Sequence, residues 1–226
     1  MIKTLLNGAQ GKMGAAIAQI IEANPDYNMQ ITARRDDGLR QGGEDFDLVI
    51  DFSRPSGAQD AFEIALERKA AFLTGTTGLP ADFTTRLKEE RAIPVFYSPN
   101  VSIGMHLFTK LAREANKLFA VYTKTLHESH HAQKKDAPSG TAKSLAAALS
   151  FPQEQITYER AGTDPGTHAI KFTSQYKDEE ISLSHRALDR ALFAYSAIII
   201  ARWLVRQKPG FYDMDAFAGG SAGGQK

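Results

Sequence analysis

The residues most able to do chemistry lie between positions 128 and 141, in the stretch Glu-Ser-His-His-Ala-Gln-Lys-Lys-Asp-Ala-Pro-Ser-Gly-Thr. Glu128, His130, His131, Lys134 and Asp136 fall within nine residues, and Ala137-Pro138-Ser139-Gly140-Thr141 follows directly. Ser139 suits an N-cap, and the Ala-Lys-Ser-Leu-Ala-Ala-Ala-Leu run after Thr141 is rich in strong helix formers, so a helix is predicted to start here. The first turn of a helix presents unpaired N–H groups and a partial positive charge, which favour an anion. Imidazoles and an ammonium beside such a turn make a site for a carboxylate-bearing substrate that must gain or lose a proton. Lys134 and the neighbouring imidazoles can supply that proton. The Ser139-Gly140-Thr141 amides and the cationic side chains can hold the carboxylates.

The same segment contains His127-Glu128-Ser129-His130-His131, a formal match to the H-E-x-x-H zinc signature. That signature binds zinc on a helix, where imidazoles four residues apart meet. Here the lead-in Val121-Tyr122-Thr123-Lys124-Thr125 is β-branched and aromatic, a strand former. In a strand, His127 and His131 stand about 13 Å apart, from a rise of about 3.3 Å per residue. They cannot share one zinc with bonds of about 2.1 Å. No metal is expected.

A second cluster opens the chain. Gly8-Ala9-Gln10-Gly11-Lys12-Met13-Gly14 lies between an apolar run and a helical pattern, in G-x-x-G-x-x-G spacing. Glycines there allow a tight turn, let backbone approach a pyrophosphate and permit close helix–strand packing. Where an acidic ribose ligand is expected, about 20 residues further on, stand Arg34 and Arg35. Arginine favours a 2′-phosphate, so NADPH is predicted to be preferred, with NADH possible. Asp51-Phe52-Ser53-Arg54-Pro55, Gly75-Thr76-Thr77-Gly78 and Ser98-Pro99-Asn100-Val101 each follow an apolar run. Open parallel sheets bind ligands at the carboxyl ends of their strands, so these turns are read as cofactor contacts.

The elements that must position these groups show two rhythms. Strands are expected at Ile2 to Leu6, Met29 to Ala33, Leu48 to Ile50, Ala71 to Leu73 and Pro94 to Tyr97. Helices are expected at Gly14 to Ala23, Ser56 to Lys69 and Ala81 to Arg91. Such alternation implies a doubly wound parallel sheet. After Asn100 comes an amphipathic helix, Met105 to Leu118. Strands at Tyr122 to Leu126, Gln155 to Glu159, Ala169 to Thr173 and Ile181 to Ser184 follow, an α+β pattern with a mixed sheet. Arg190 to Val205 reads as a buried helix and Gly219 to Lys226 as a disordered tail. The expected domains are residues 1–102 with 190–226, and 103–189. His106, His168 and His185 read as packing or surface residues, and Trp203 as core.

The chain has 226 residues, 42% of them hydrophobic, and a net charge of +1 from 27 basic and 26 acidic residues. That balance argues against nucleic-acid or anionic-membrane binding. There is no cysteine, hence no thiol chemistry. No apolar run reaches the roughly 20 residues of a membrane span, and the amino terminus lacks a signal-peptide layout, so a cytoplasmic protein is expected. The residues alone leave open another imine or keto-acid dehydrogenase, or a dinucleotide-sensing module without turnover.

With the glycine loop, Gly75-Thr76-Thr77-Gly78 and the E-x-H-H-x-x-K-x-D-A-P-S-G-T string in view, the chain resembles the 4-hydroxy-tetrahydrodipicolinate (dihydrodipicolinate) reductase family. The likeness runs from the first strand to Phe211-Tyr212-Asp213-Met214. It implies NAD(P)H-dependent reduction of a cyclic dicarboxylate on the diaminopimelate route to lysine. It also implies a Rossmann-like domain completed by the C-terminal segment, and a substrate domain that builds a homotetramer. By matching position it makes His130 the proton donor and Lys134 a second acid. His131 and Ser139-Gly140-Thr141 become the substrate-carboxylate site, with Thr77 assigned to substrate as well as cofactor. Gly8 to Met13, Gly75 to Thr77 and Ser98 to Val101 match the cofactor contacts, and Arg35 the 2′-phosphate contact. The chain departs from the family in carrying Arg34 where many members are acidic, and in a shorter stretch from Arg35 to Asp51.

Overall fold

The computed structural model describes residues 1–34 and 45–221. In chain order it contains β1 (Ile2–Asn7), α1 (Lys12–Glu22), β2 (Met29–Arg34), β3 (Leu48–Asp51), α2 (Pro55–Arg68), β4 (Ala71–Thr74), α3 (Ala81–Glu89) and β5 (Pro94–Tyr97). Then come α4 (Ile103–Leu118), β6 (Thr123–His130), α5 (Gly140–Ala148), β7 (Thr157–Arg160), β8 (Gly166–Thr173), β9 (Glu180–Ala187), α6 (Ala191–Leu204), β10 (Gly210–Tyr212) and α7 (Met214–Ser221). The chain divides into two compact units, Met1–Ser102 with Ala191–Lys226, and Ile103–Arg190.

In the first unit the strands form one sheet in the order β10-β5-β4-β3-β1-β2. Every pairing is parallel. The short apolar strands β3 and β4 are buried at every residue, as expected of parallel strands covered on both faces. Phe62 of α2 meets Phe72 of β4 and Phe83 of α3, with ring centroids 5.2 and 5.7 Å apart. This is the parallel α/β sheet read from the alternating pattern, and the Rossmann-like domain that the family resemblance implies.

The second unit carries a mixed sheet, β7-β6-β8-β9, in which β6 is parallel to β7 and antiparallel to β8. Side chains alternate along a strand. On one face, Leu126, Ile170 and Phe172 pack with Met105, Phe108 and Ala112 of α4 and Leu145 and Ala146 of α5.

Several expectations are corrected. β6 does not stop at Leu126 but runs to His130, because it is paired on both sides. The histidines and glutamate of the zinc-like string, His127 to His130, are therefore strand residues. β10 and α7 were not legible as elements. Three residues carry no periodic signal, and β10 owes its existence to parallel pairing with β5. The tail expected to be disordered from Gly219 is helical through Ser221, while 222–226 lie outside the described residues. Trp203 is only partly buried, held edge-on between Tyr212 and Phe217. Among the described residues, no helix is long and apolar enough to cross a membrane.

Candidate functional site

The predicted cofactor residues of the first unit meet at the carboxyl edge of its sheet. Gly8 follows β1 with φ +79°, and a Cβ there would fall 2.4 Å from the Phe52 carbonyl oxygen. At Gly14 a Cβ would fall 2.2 Å from the Gly8 carbonyl oxygen, so α1 packs directly on the turn. Gly11 sits at the N-cap of α1 with no side-chain hydrogen bond. Its helix start thus offers N–H groups and dipole to a phosphate. Backbone bonds tie the neighbouring turns to this loop: Phe52 N donates to Asn7 O, Gly75 N to Asp51 O and Ser98 N to Thr74 O, at 3.2, 3.0 and 3.3 Å. Gly75 leaves room for Phe52, whose ring a Cβ would approach to 2.1 Å. The Ser98 hydroxyl donates to Asn100 O at 2.7 Å. Arg34 ends β2 opposite Asn7. Arg35 lies outside the described residues.

Asp51 locks this edge together. Its carboxylate is fully buried. It accepts from Asn7 Nδ2 at 2.8 Å, Ser53 Oγ at 2.5 Å, and Thr74 Oγ1 and Thr76 Oγ1 at 2.7 Å each. Burial pushes its carboxyl above the ordinary range despite these four donors. One side chain therefore pins the ends of β1, β3 and β4 and the Gly75-Thr76 turn. Sequence reading placed Asp51 in the turn but gave it no such task.

In the second unit the face of the sheet that buries Leu126 and Ile170 becomes polar at one end. Glu128 is paired across strands with His168, and His168 with His185. Facing residues on paired strands share a face. Glu128 is wholly buried, with His130 and His168 nearly so. Glu128 Oε1 accepts from Ser139 N and from Arg160 Nη2, both at 2.7 Å. Glu128 Oε2 accepts from the Ser139 hydroxyl, and lies 3.4 Å from His130 Nδ1 and 3.6 Å from His168 Nε2. Burial works to raise this carboxyl, but the Ser139 and Arg160 donors outweigh it and hold it below the usual range. Burial lowers His130, reinforced by Lys134 and Arg160 and opposed by Glu128 and Asp164. His168 is pushed down to about 4, first by burial and then by His130.

Ser139 caps α5, its Oγ accepting from Ala142 N at 3.1 Å. The helix start carrying Gly140 and Thr141 is therefore bolted to the strand carrying His130 through Glu128. Lys134 Nζ lies 2.7 Å from Asp136 Oδ1. That ammonium, helped by the Gly140 N–H, holds the Asp136 carboxyl below its ordinary value. His131 N donates to Asp164 O at 2.8 Å. Arg190 Nη2 donates to His131 Nε2 at 2.8 Å. Gly166, where β8 begins, abuts the His130 ring: a Cβ there would come 2.8 Å from Nε2.

The structure thus brings His130, His131, Lys134, Ser139, Gly140 and Thr141 into one unit around a common strand and helix start. Thr77 is an exposed residue of the other unit. Sequence reading missed Arg160, Asp164, Gly166 and the proximity of His168, which it took for a packing or surface residue. The signal for His168 was the alternation His168, Ile170, Phe172, which puts an imidazole on the buried face. Glu128, His130 and His168 offer ligand-type atoms within 4.8 Å of one another. Arg160 and both Ser139 donors already satisfy the carboxylate, and the two imidazoles lie beside it at 3.4 and 3.6 Å.

The family model for dihydrodipicolinate reductase, N-terminus, matches residues 2–101, and that for its C-terminus matches 104–217. A 4-hydroxy-tetrahydrodipicolinate reductase of Rickettsia bellii is 36% identical over 230 residues, covering 92% of this chain and 91% of that protein. One of Stenotrophomonas maltophilia is 35% identical over 230 residues, with 93% and 95% covered. Among solved structures, a dipicolinate-bound dihydrodipicolinate reductase from Paenisporosarcina sp. TG-14 aligns with a TM-score of 0.75 at 20% identity, over 94% of this chain and 97% of that one. At that identity the likeness speaks for the fold. With both halves matched by the family models and relatives above 30% identity spanning nearly its whole length, this chain belongs to the dihydrodipicolinate reductase family.

Proposed function

We propose that this chain reduces 4-hydroxy-tetrahydrodipicolinate to tetrahydrodipicolinate on the diaminopimelate route to lysine, with NADPH preferred over NADH. The observation that carries the reading is the joining of an imidazole to a capped helix start through Glu128: one unit holds a proton-transfer group and an anion site together. The glycine loop fits a dinucleotide, since two of its glycines leave no room for a Cβ and the α1 start is uncapped. Gly8 to Met13, Phe52, Gly75 to Thr77 and Ser98 to Val101 hold the cofactor, and Arg34 and Arg35 meet the 2′-phosphate. Bound there, the reduced nicotinamide supplies a hydride.

The residues of the second unit do the rest. The substrate is a ring with two carboxylates; loss of its 4-hydroxyl as water leaves a conjugated imine, hydride adds to that system, the ring nitrogen draws the electrons, and a proton must follow. His130 supplies it, with Lys134 as the second acid. His131 and the Ser139-Gly140-Thr141 start of α5 hold a carboxylate, with Thr77 a further contact. The low His130 basicity set by burial suits a group that must give its proton up readily. We also propose a cytoplasmic homotetramer. Leu107, Leu111 and Leu118 of α4, exposed at 50, 55 and 79%, are apolar surface consistent with a subunit contact.

The test is a coupled assay: the fresh product of the preceding synthase is supplied with NADPH or NADH, and nicotinamide absorbance is followed. Turnover is expected, with Lys134→Ala and His130→Gln each lowering kcat by about 100-fold. Unchanged turnover in Lys134→Ala would remove this segment from the chemistry. Tighter binding of NADH than NADPH by calorimetry would overturn the cofactor preference.

A further inference from the structure

We infer that Glu128 is the positioning residue for the proton-transferring imidazole, one carboxylate fixing both the tautomer of His130 and the start of the helix that carries Ser139-Gly140-Thr141. The inference rests on the reading of His130 as the proton donor.

The two carboxylate oxygens divide the work. Oε1 is held by Ser139 N and Arg160 Nη2. Oε2 takes the Ser139 hydroxyl and faces His130 Nδ1 and His168 Nε2. His130 Nδ1 is buried and makes no hydrogen bond of good geometry; the acceptor it faces, at 3.4 Å, is Glu128. A carboxylate beside Nδ1 keeps the proton on that nitrogen and leaves Nε2 to exchange one with a substrate. Such contacts are commonly long without a ligand and tighten in the complex.

Helix capping alone does not account for this residue. Ser139 already caps α5 with its own hydroxyl. Burying a charged pair such as Glu128 and Arg160 contributes little net stability compared with apolar residues of the same volume. The buried charge is explained by what it faces. It also couples two tasks that a reductase of a diacid must coordinate: any shift of the carboxylate moves the imidazole and the carboxylate-binding turn together.

The charged and titratable groups facing His130 are Glu128, Lys134, Arg160, Asp164 and His168. Of these, Glu128 and Asp164 favour the imidazolium. Glu128→Gln keeps size and one acceptor oxygen, but removes the charge. The expected result is a kcat about 100-fold lower at neutral pH with KM changed far less. The fall of kcat at alkaline pH should move to lower pH, because the acid form of His130 has lost a stabilising charge. Glu128→Asp, which keeps the charge, should hold that limb near its original place. The decisive measurement uses the unaltered chain: ring-nitrogen NMR of 15N-histidine-labelled protein, assigned with His130→Asn. His130 is expected as the Nδ1–H tautomer. An Nε2–H tautomer there, or a Glu128→Gln pH profile superimposable on the parent's, overturns the inference. The tautomer measurement needs no substrate, so it fails or succeeds separately from the assay that tests the activity itself.

Discussion

Gly166→Ala isolates the position of one ring from everything else in the site. Gly166 is buried at the start of β8 with φ +155°, and a methyl group there would lie 2.8 Å from His130 Nε2 and 3.1 Å from Cδ2. Ordinary contact begins near 3.4 Å, so the ring must retreat by about 0.6 Å (3.4 less 2.8). It has little room. Glu128 Oε2 stands 3.4 Å from Nδ1, and the His168 ring lies edge-on with its centroid 5.3 Å away. A misplacement near 1 Å can cost about 100-fold in rate. A displacement of roughly half that size is expected to lower kcat by about 10- to 100-fold, with about 1–3 kcal/mol lost from stability through backbone strain and crowding. Gly166 belongs to the second unit and the glycine loop to the first, so NADPH affinity should stay within about twofold, an energy difference under roughly 0.5 kcal/mol. Steady-state kinetics, NADPH titration and far-UV circular dichroism check these three outcomes. A folded Gly166→Ala protein turning over at the parent rate would refute the claim that the His130 ring must sit where it does.

Two further predictions concern the buried ionisable groups. His168 binds its proton in the unfolded chain near pH 6.5 but in the folded one only near pH 4. The unfolded state therefore holds more protons between those values, and stability is complete above pH 6.5 and declines as pH falls towards 4. The full loss is roughly 3 kcal/mol at about 1.4 kcal/mol per pKa unit; His168→Asn should flatten most of that slope in urea unfolding followed by circular dichroism, and an unchanged slope would contradict it. Asp51→Ala strands donors on Asn7, Ser53, Thr74 and Thr76, which should cost about 3 kcal/mol or more of stability. NADPH binding should weaken by about tenfold or more as the loop ends loosen. Asp51→Asn, of the same shape without the buried charge, should cost less than Asp51→Ala by both measures.

The first unit was legible because its signals are local. A short apolar run followed by Asn7-Gly8, Asp51-Phe52 or Thr74-Gly75 marks a strand end, and the alternation with helices fixes parallel pairing. The glycine spacing could be read because the physical demand on Gly8 and Gly14 is a lack of space, which only one residue type meets. β10 and the Asp51 keystone were not legible, because both depend on which strands become neighbours. Asp51 reaches Asn7 across 44 positions and Thr76 across 25, and no window of sequence shows those distances. In the second unit the residues at 128–136 were visible as a cluster, but Arg160, Asp164 and His168 were not, because strand pairing and the loop after β7 bring them there. The pairing of β6 with β7 and β8 extends the strand through Glu128 to His130, and the rest of the cluster follows it.

That extension decides how the site works. On a strand, residues two apart share a face and lie about 7 Å apart along the chain. Glu128 and His130 thus point the same way from a rigid support, while His127 and Ser129 point to the other face. The antiparallel register then sets His168 opposite Glu128, and the parallel one sets Arg160 opposite His130. A turn would have supplied the same residue types with no fixed mutual direction. The sheet supplies direction through backbone pairing alone, and Glu128 carries it across to α5 through Ser139. The polar end of this face therefore belongs to the same ordered layer as Leu126, Ile170 and Phe172. A cavity beneath those apolar residues, as in Phe172→Ala, should disturb the imidazoles above it by loosening the shared strands.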